Sequence, residues 1–257
     1  MKLVLIGSGN TAHILGQRSM MSGHQILQVY SRDPQHAAGL ATILKTKSTS
    51  NPAEINATAD LYLVALKDEA LYQISSWLKL DPRLVAHTAG AVPMNTLEQV
   101  SSNFGVVYPL QSLRKENQQV PELPLLIDAN TTANLDLLRL FAESLTDRVQ
   151  ESDDEYRRKI HLAAIAANNF TNYLFTLTED FCEREKIDFR LLLPLIRETV
   201  QRLDQHSPAG MQTGPAIRND QVTINKHLGM LTNYPELRVV YELFTDQITS
   251  YTQKRLE

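Results

Sequence analysis

The chain opens with the stretch Met1-Lys-Leu-Val-Leu-Ile-Gly-Ser-Gly-Asn-Thr-Ala12, which decides the fold. Its apolar run is typical of a buried strand, and a glycine-rich turn and a helix start follow at once. Gly7 permits a tight turn, Gly9 lets a phosphate approach the backbone, and the small Ala12 lets the helix pack closely on the sheet. The stretch therefore predicts a dinucleotide-binding unit, in which the turn also offers the cofactor Ser8, Asn10 and Thr11.

The first part of the chain, residues 1–151, alternates short apolar runs with helical patterns. This alternation is typical of a parallel sheet with crossover helices. We therefore predict an α/β fold with a Rossmann-like, doubly wound parallel sheet in this part. Its predicted strands are Lys2–Ile6, Gln25–Ser31, Leu61–Leu66, Leu84–His87, Gly105–Tyr108 and Leu123–Ile127.

The pattern changes at Ser152. The sequence Ser152-Asp-Asp-Glu155 has the form of a capping box, and it opens a helical pattern that runs without Gly or Pro to about Glu185. Further helical patterns cover residues 189–205, 221–233 and 236–251. We therefore predict an all-helical domain over residues 152–257, which contributes to substrate binding or dimerisation.

Composition limits the classes of partner. The formal net charge of −4 and the sequence pI near 6.0 provide no general attraction for nucleic acid. No apolar stretch has the length of a signal segment or membrane span, so we expect a cytoplasmic protein that does not bind membranes. Cys182, the single cysteine, cannot form an internal disulfide and lacks metal-ligand spacing, so we expect a partly buried thiol and no metal site.

The end of the second predicted strand bears on the choice between nicotinamide cofactors. An acidic residue there binds the adenosine ribose, whereas an arginine accepts a 2′-phosphate. The sequence is Tyr30-Ser-Arg-Asp33, in which Ser31 and Arg32 suit a phosphate and Asp33 is placed to cap the helix that begins at Pro34. This pattern favours NADP over NAD.

Residues just past the other strands should line the cofactor or the substrate, because open parallel sheets bind ligands at this edge. They lie in Ala65-Leu-Lys67, His87-Thr-Ala-Gly90 and Tyr108-Pro-Leu-Gln111. We expect His87 or Thr88 to face the nicotinamide and Gly90 to permit close backbone approach. The alternative is that these residues cap helices or form local hydrogen bonds. The predicted cofactor contacts here are Ala65, Leu66, Lys67, Thr88 and Ala89.

The long helical pattern carries a polar stripe of His161, Asn168 and Asn172. At about 100° per residue, the two asparagines lie about −20° and +20° from the histidine. The stripe is a candidate chemical site, and the alternative is a solvent-exposed or interhelical stripe. The loop over residues 206–220 is unusually long, and its candidates are Gln212, Thr213, Arg218 and Asp220, unless they only cap helices.

Together these residues resemble a bacterial family of Rossmann-like proteins described as NADP oxidoreductases, with a helical carboxy-terminal domain of unassigned function. The most telling stretches are Ile6–Ala12, His87–Gly90, Tyr108–Gln111, residues 161–172 and residues 212–220. The arrangement is more distantly similar to pyrroline-5-carboxylate reductase and the beta-hydroxyacid dehydrogenases. The resemblance implies a small-molecule substrate and a homodimer through the helical domain.

The sequence departs from the beta-hydroxyacid dehydrogenases at one position. Many of them carry a catalytic lysine four residues before an asparagine on the first long helix, but here Ala164 precedes Asn168. This departure leaves His161 as the better candidate for a proton donor.

The leading hypothesis is an NADP-dependent oxidoreductase that moves a hydride between the nicotinamide and a small carbonyl, imine or hydroxyacid. In this hypothesis His161 is the general acid or base, with His87 as the alternative. Asn168 and Asn172 orient the substrate oxygen, and Gln212 or Thr213 closes the site. The rival hypothesis is a non-catalytic NADP-binding sensor or interaction module.

Overall fold

The structure, a computed structural model, describes residues 1–116 and 122–254. The chain divides into two compact units, Met1–Ile165 and Ala166–Glu257. The helix that follows residue 151 belongs to the first unit. The boundary between the two units therefore lies further along the chain than Ser152, where the sequence pattern changes.

The first unit contains, within the described residues, a sheet of eight strands. They are β1 (Lys2–Ile6), β2 (Gln25–Tyr30), β3 (Lys47–Thr49), β4 (Leu61–Val64), β5 (Leu84–His87), β6 (Asn103–Pro109), β7 (Leu125–Ala129) and β8 (Val149–Glu151). Their order in the sheet is β3-β2-β1-β4-β5-β6-β7-β8, and all neighbours are parallel except β6 and β7, which are antiparallel. This arrangement confirms the predicted Rossmann-like fold, with two differences: β7 and β8 run opposite to the other strands, and the short edge strands β3 and β8 were not predicted.

The central strands are buried on both faces. In β1, Leu3 and Leu5 pack into one hydrophobic cluster while Val4 and Ile6 pack into another, as the two-residue period of a strand requires. Every residue of β4 and β5 is buried, which is typical of parallel strands covered on both sides. The α-helices of the first unit are α1 (Asn10–Met21), α2 (Pro34–Ile43), α3 (Asp68–Tyr72), α4 (Thr132–Leu145) and α5 (Asp154–Ala164).

The start of α5 corrects the predicted capping box. Asp153, not Ser152, caps the helix, because its carboxylate accepts a hydrogen bond from the Tyr156 N–H at 2.7 Å. The Ser152 hydroxyl is buried without a partner among the described residues. Glu155 forms an ion pair with Lys159 one turn further on and does not reach back to the cap. The cap is displaced by one residue because a carboxylate accepts from a backbone N–H more strongly than a hydroxyl does.

The long helical pattern after α5 is not uniform. A π-helical segment, Ile165–Phe170, follows α5 directly and leads into α6 (Thr171–Arg184). π-Helical turns are rare in proteins, and those that do occur are often found at functional sites. The remaining α-helices are α7 (Leu193–Gln201), α8 (Gln221–Met230) and α9 (Pro235–Lys254), with 3₁₀ turns between them.

The second unit buries few apolar side chains. Its buried hydrophobic residues are Cys182, Ala216, Ile224, Leu231 and Tyr234, and the Arg184 guanidinium stacks over the Tyr234 ring at 4.2 Å. Among the described residues, no helix is long and apolar enough to cross a membrane, and no group of three His, Cys, Asp or Glu side chains is placed to hold a metal ion.

Candidate functional site

The glycine turn between β1 and α1 has the geometry that phosphate binding needs. Gly7 has φ +125°, and a Cβ there would lie 2.2 Å from the Ala65 carbonyl oxygen, so only glycine fits. Gly9 precedes α1, whose first N–H groups have no side-chain cap. A Cβ on Gly9 would meet nothing within 4 Å, so the space in front of the helix start is open to an anion.

A cavity of about 680 Å³ opens beside this turn, at the carboxyl ends of β1, β2 and β4. Eight of the twelve predicted cofactor contacts line this cavity, whereas Asn10, Thr11, Thr88 and Ala89 do not. The lining residues are Gly7, Ser8, Gly9, Tyr30, Ser31, Arg32, Asp33, His36, Ala65, Leu66, Lys67, Glu69, Ala70, Gln73, Trp77 and Lys115.

One end of the cavity combines hydroxyl groups with basic side chains. The Ser8 hydroxyl donates to the Ser31 hydroxyl at 2.9 Å, and Arg32 has no ion pair among the described residues. Asp33 caps α2, as predicted, because its carboxylate accepts from the N–H groups of Gln35 and His36. The hydrogen bond from the His36 N–H is the main reason that the pKa of Asp33 lies below its usual value. The carboxylate of Asp33 is therefore already engaged.

An aromatic pair borders the same cavity. The rings of Tyr30 and Trp77 stack with centroids 5.2 Å apart and planes 29° apart. Neither ring belonged to the predicted site, because a stacked pair from residues far apart in the chain leaves no local sequence pattern. Such a pair offers a flat apolar surface to a planar ring.

A second cluster lies at the carboxyl ends of β5 and β6, against α5. The Tyr108 hydroxyl and His161 Nδ1 are 3.0 Å apart, and their rings meet edge to face. A Cβ on Gly90 would lie 2.7 Å from His161 Nδ1 and 2.9 Å from Tyr108 Cζ. Gly90 is therefore needed because the side chains of His161 and Tyr108 come this close to its backbone.

His87 lies in a different environment. Its side chain is fully buried, and its Nδ1 accepts a hydrogen bond from the Ala89 N–H at 3.2 Å. Burial, with the positive charge of Arg157 as a second cause, lowers the pKa of His87 to about 4. Thr88 is also used locally, because its hydroxyl faces the Val64 carbonyl at 3.4 Å. This environment favours His161 over His87 for proton transfer to a ligand.

Arg157 was not predicted as a site residue, yet it is completely buried beside this cluster. Its Nη2 donates to the Val92 carbonyl at 2.8 Å and pairs with the Asp154 carboxylate. Asp154 also accepts from the Met94 N–H at 3.0 Å. These bonds tie the segment after β5 to the start of α5, the helix that carries His161. A basic run at the start of a helix usually lies in solvent, so the sequence contained no signal for this burial.

The other candidate residues belong to the second unit. Asn168 is exposed in the π-helical segment, Asn172 is exposed in α6, and the Gln212 amide donates to the Thr213 carbonyl at 3.2 Å. The alignment of both asparagines with His161 assumed about 100° per residue, which a π-helical segment does not keep. Asp220 caps α8, as its alternative interpretation predicted. The roles of Asn168, Asn172 and Gln212 stay predictions.

Two family models match the sequence. The model described as "NADP oxidoreductase coenzyme F420-dependent" matches residues 2–87, which include the glycine turn. The model described as "Domain of unknown function (DUF2520)" matches residues 123–248. No protein of curated function shows significant similarity to the chain.

Solved structures extend the match to nearly the whole chain. The Bacteroides fragilis protein described as a "putative NADP oxidoreductase" is 37% identical, with 97% of this chain and 98% of that chain covered and a TM-score of 0.91. Two others are similar in fold alone. Pyrroline-5-carboxylate reductase from Streptococcus pyogenes is 14% identical, with 97% of this chain and 98% of that chain covered and a TM-score of 0.63. Reductive aminase from Aspergillus terreus in complex with NADPH and ethyl-5-oxohexanoate is 13% identical, with 97% of this chain and 94% of that chain covered and a TM-score of 0.69.

The 37% identity extends over both chains almost completely, and both family models agree with it. The chain therefore belongs to the NADP oxidoreductase family in which a Rossmann-like domain is followed by a helical domain of unknown function.

Proposed function

We propose that the protein binds NADP(H) and transfers a hydride between it and a small carbonyl, imine or hydroxyacid. One observation carries the proposal. The glycine turn with its cavity and the Tyr108–His161 pair lie at the same edge of the sheet, beyond the carboxyl ends of the parallel strands. Ligands of open α/β sheets bind at this edge, so a cofactor and a proton-transfer group are brought to one side of the domain.

The residues of the cavity fit a dinucleotide phosphate. The open space before α1 suits the pyrophosphate, and the stacked Tyr30 and Trp77 rings suit the adenine. Arg32 and Ser31 at the end of β2 suit a 2′-phosphate, and His36 lies beside them. When bound, the nicotinamide supplies or takes up the hydride. We therefore propose NADP as the preferred cofactor.

His161 is the proposed proton-transfer residue. It is only partly buried, and its Nε2 makes no hydrogen bond with the described residues, so this atom is available to a ligand. His87 is neutral and enclosed, which suits a structural role. For Asn168 and Asn172 the proposal keeps a hydrogen bond that orients the substrate oxygen, and for Gln212 or Thr213 it keeps a role in closing over the substrate.

The relatives in fold support the substrate class. One is described as a pyrroline-5-carboxylate reductase, and another is described in complex with NADPH and ethyl-5-oxohexanoate, a compound with a ketone group. We propose the same range of small C=O and C=N compounds for this protein.

A homodimer through the helical unit is part of the proposal. Leu195 on α7 and its flanking residues Leu191 and Leu203 are all more than half exposed, and so are Val239 and Leu243 on α9. Exposed apolar side chains of this kind on a unit with so small a core suit a second copy of the same unit. Light scattering after gel filtration tests it: a dimer for the native protein and a monomer for Leu195→Glu are expected, and a native monomer contradicts it.

The enzymatic proposal is tested by NADPH oxidation with a panel of small ketones, 2-oxo acids and cyclic imines. The native protein should turn over at least one class, and His161→Asn should lower kcat on the order of 10²- to 10⁴-fold, the usual size of a general acid–base contribution. His24→Asn is the matched control, because His24 precedes β2 at the opposite edge of the sheet. Tight NADPH binding with no turnover of any class would favour the sensor instead.

A further inference from the structure

The Tyr108 hydroxyl is held against one particular nitrogen of His161. Tyr108 Oη lies 3.0 Å from His161 Nδ1, and the tyrosine side chain is almost entirely buried. The hydroxyl has no other hydrogen-bond partner among the residues that the structure describes. The distance fits either direction of donation, but a phenol O–H is the better donor and an imidazole nitrogen the better acceptor, so we take Oη as the donor to the lone pair of Nδ1.

The surroundings keep this proton on the tyrosine. Burial raises the pKa of Tyr108, and the positive charge of Arg157 opposes that rise only in part. The other ionisable groups around Arg157 are Asp154, which pairs with it, together with Asp128 and the neutral His87. A phenol with a raised pKa is a hydrogen-bond donor at neutral pH.

The backbone at Gly90 closes the same side of the imidazole ring. The position of a Cβ on Gly90 is 2.7 Å from Nδ1 and 2.8 Å from Cγ of His161. The Nδ1 edge is thus enclosed by Tyr108 and Gly90, while Nε2 has no hydrogen bond within the described part of the chain. Nε2 is therefore the ring nitrogen that remains for a ligand.

We propose that Tyr108 is a positioning residue that holds neutral His161 in the tautomer with its proton on Nε2. A neutral imidazole carries one proton, so a lone pair at Nδ1 requires an N–H at Nε2. The site therefore presents a hydrogen-bond donor and recognises a ligand atom that accepts, such as a carbonyl oxygen.

The tautomer has a consequence for the direction of reaction, which rests on the proposed function. Removal of a proton from a hydroxyacid requires a free lone pair on the nitrogen that faces the substrate. In the proposed tautomer that lone pair lies on Nδ1 and is bound by Tyr108. The resting site is therefore arranged to donate a hydrogen bond to a carbonyl oxygen, which would stabilise the negative charge that develops on that oxygen as a hydride is added to the carbonyl carbon.

The experiment is ¹⁵N NMR of the full-length protein labelled at histidine, recorded at about pH 8. Protonated and unprotonated ring nitrogens have very different ¹⁵N shifts, and loss of signals in His161→Asn assigns them. We expect His161 Nε2 in the protonated range and Nδ1 in the unprotonated range. In Tyr108→Phe both shifts should move toward each other as the second tautomer becomes populated.

Tyr156→Phe is the matched control, because it removes an exposed tyrosine hydroxyl from α5 and should leave both shifts unchanged. Gly90→Ala approaches the pair from the other side and should move the shifts as Tyr108→Phe does. A native protein with its proton on Nδ1, or unchanged shifts in Tyr108→Phe, would overturn the proposal. The measurement needs neither cofactor nor substrate, so an absence of NADPH turnover would contradict the proposed function while leaving this result intact.

Discussion

Replacement of Gly90 by alanine tests whether the Tyr108–His161 pair is built as described. The new Cβ would lie 2.7 Å and 2.8 Å from His161 atoms and 2.9 Å from Tyr108 Cζ. Comfortable carbon contacts are about 3.5–4.0 Å, so at least one ring must move. Overpacking of this kind costs about 1–3 kcal/mol, and at about 2–4 °C per kcal/mol the melting temperature should fall by roughly 2–12 °C.

The matched control is Gly39→Ala within α2, where a Cβ meets nothing within 4 Å. Alanine is about 0.8–1 kcal/mol better than glycine inside a helix, so this variant should be slightly more stable than the native protein. The assay is thermal and chemical unfolding of both variants. In the His161→Ala variant the imidazole ring is absent, so Gly90→Ala should lower the free energy of unfolding by less than it does in the native protein. The coupling energy between the two substitutions should be about 0.5–3 kcal/mol. A Gly90→Ala protein as stable as the control, with additive effects in the double mutant, would refute the reasoning.

Other consequences concern the cofactor site and the buried histidine. Gly9→Ala should lower the melting temperature of the free protein only slightly, because its Cβ enters open space and the change costs only the weaker N-cap preference of alanine. It should weaken NADPH binding about 5- to 150-fold by calorimetry, the equivalent of about 1–3 kcal/mol of overpacking against the pyrophosphate. The pKa of His87 is lowered to about 4 from 6.5, so only the unfolded chain takes up that proton as the pH falls through this window. The free energy of unfolding should therefore drop by about 3 kcal/mol between pH 6.5 and pH 4, and His87→Gln should flatten this dependence in denaturant titrations.

The sheet could be predicted closely where its strands are central. The limits of β1 and β5 match the apolar runs, because strands covered on both faces need nearly every side chain to be apolar. The edge strands β3 and β8 have three residues each and one partner strand, so too few buried side chains mark them in the sequence. The reversed direction of β7 is likewise invisible, because an apolar run does not encode which way a strand runs.

The glycine turn and the end of β2 could be predicted because their chemistry is local. Gly7 needs its positive φ within a few residues of the strand, and Asp33 caps the helix that begins at the next residue. The Tyr108–His161 pair joins residues 53 positions apart, and no spacing rule connects them. The strand end and the helix that carry Tyr108 and His161 could be predicted separately, but only the fold shows that the two side chains meet over Gly90.

The polar stripe depends on a regular helical period, which the structure interrupts. A regular helix was assumed across His161, Asn168 and Asn172, whereas the chain forms a π-helical segment at Ile165–Phe170. The choice between α- and π-helical hydrogen bonding depends on tertiary packing more than on the local sequence, so the azimuth of residues beyond the segment could not be predicted.

The claim at the centre of this account, that the cavity beside the glycine turn binds NADP in preference to NAD, is tested by the dissociation constants of NADPH and NADH. Both are measured by calorimetry for the native protein and for Arg32→Ala. A charge-assisted hydrogen bond contributes about 1.5–3 kcal/mol, so the native protein should prefer NADPH by about 10- to 150-fold, and Arg32→Ala should lose most of that preference with little change for NADH. Equal affinity for the two cofactors in the native protein, or an unchanged NADPH affinity in Arg32→Ala, would contradict the account.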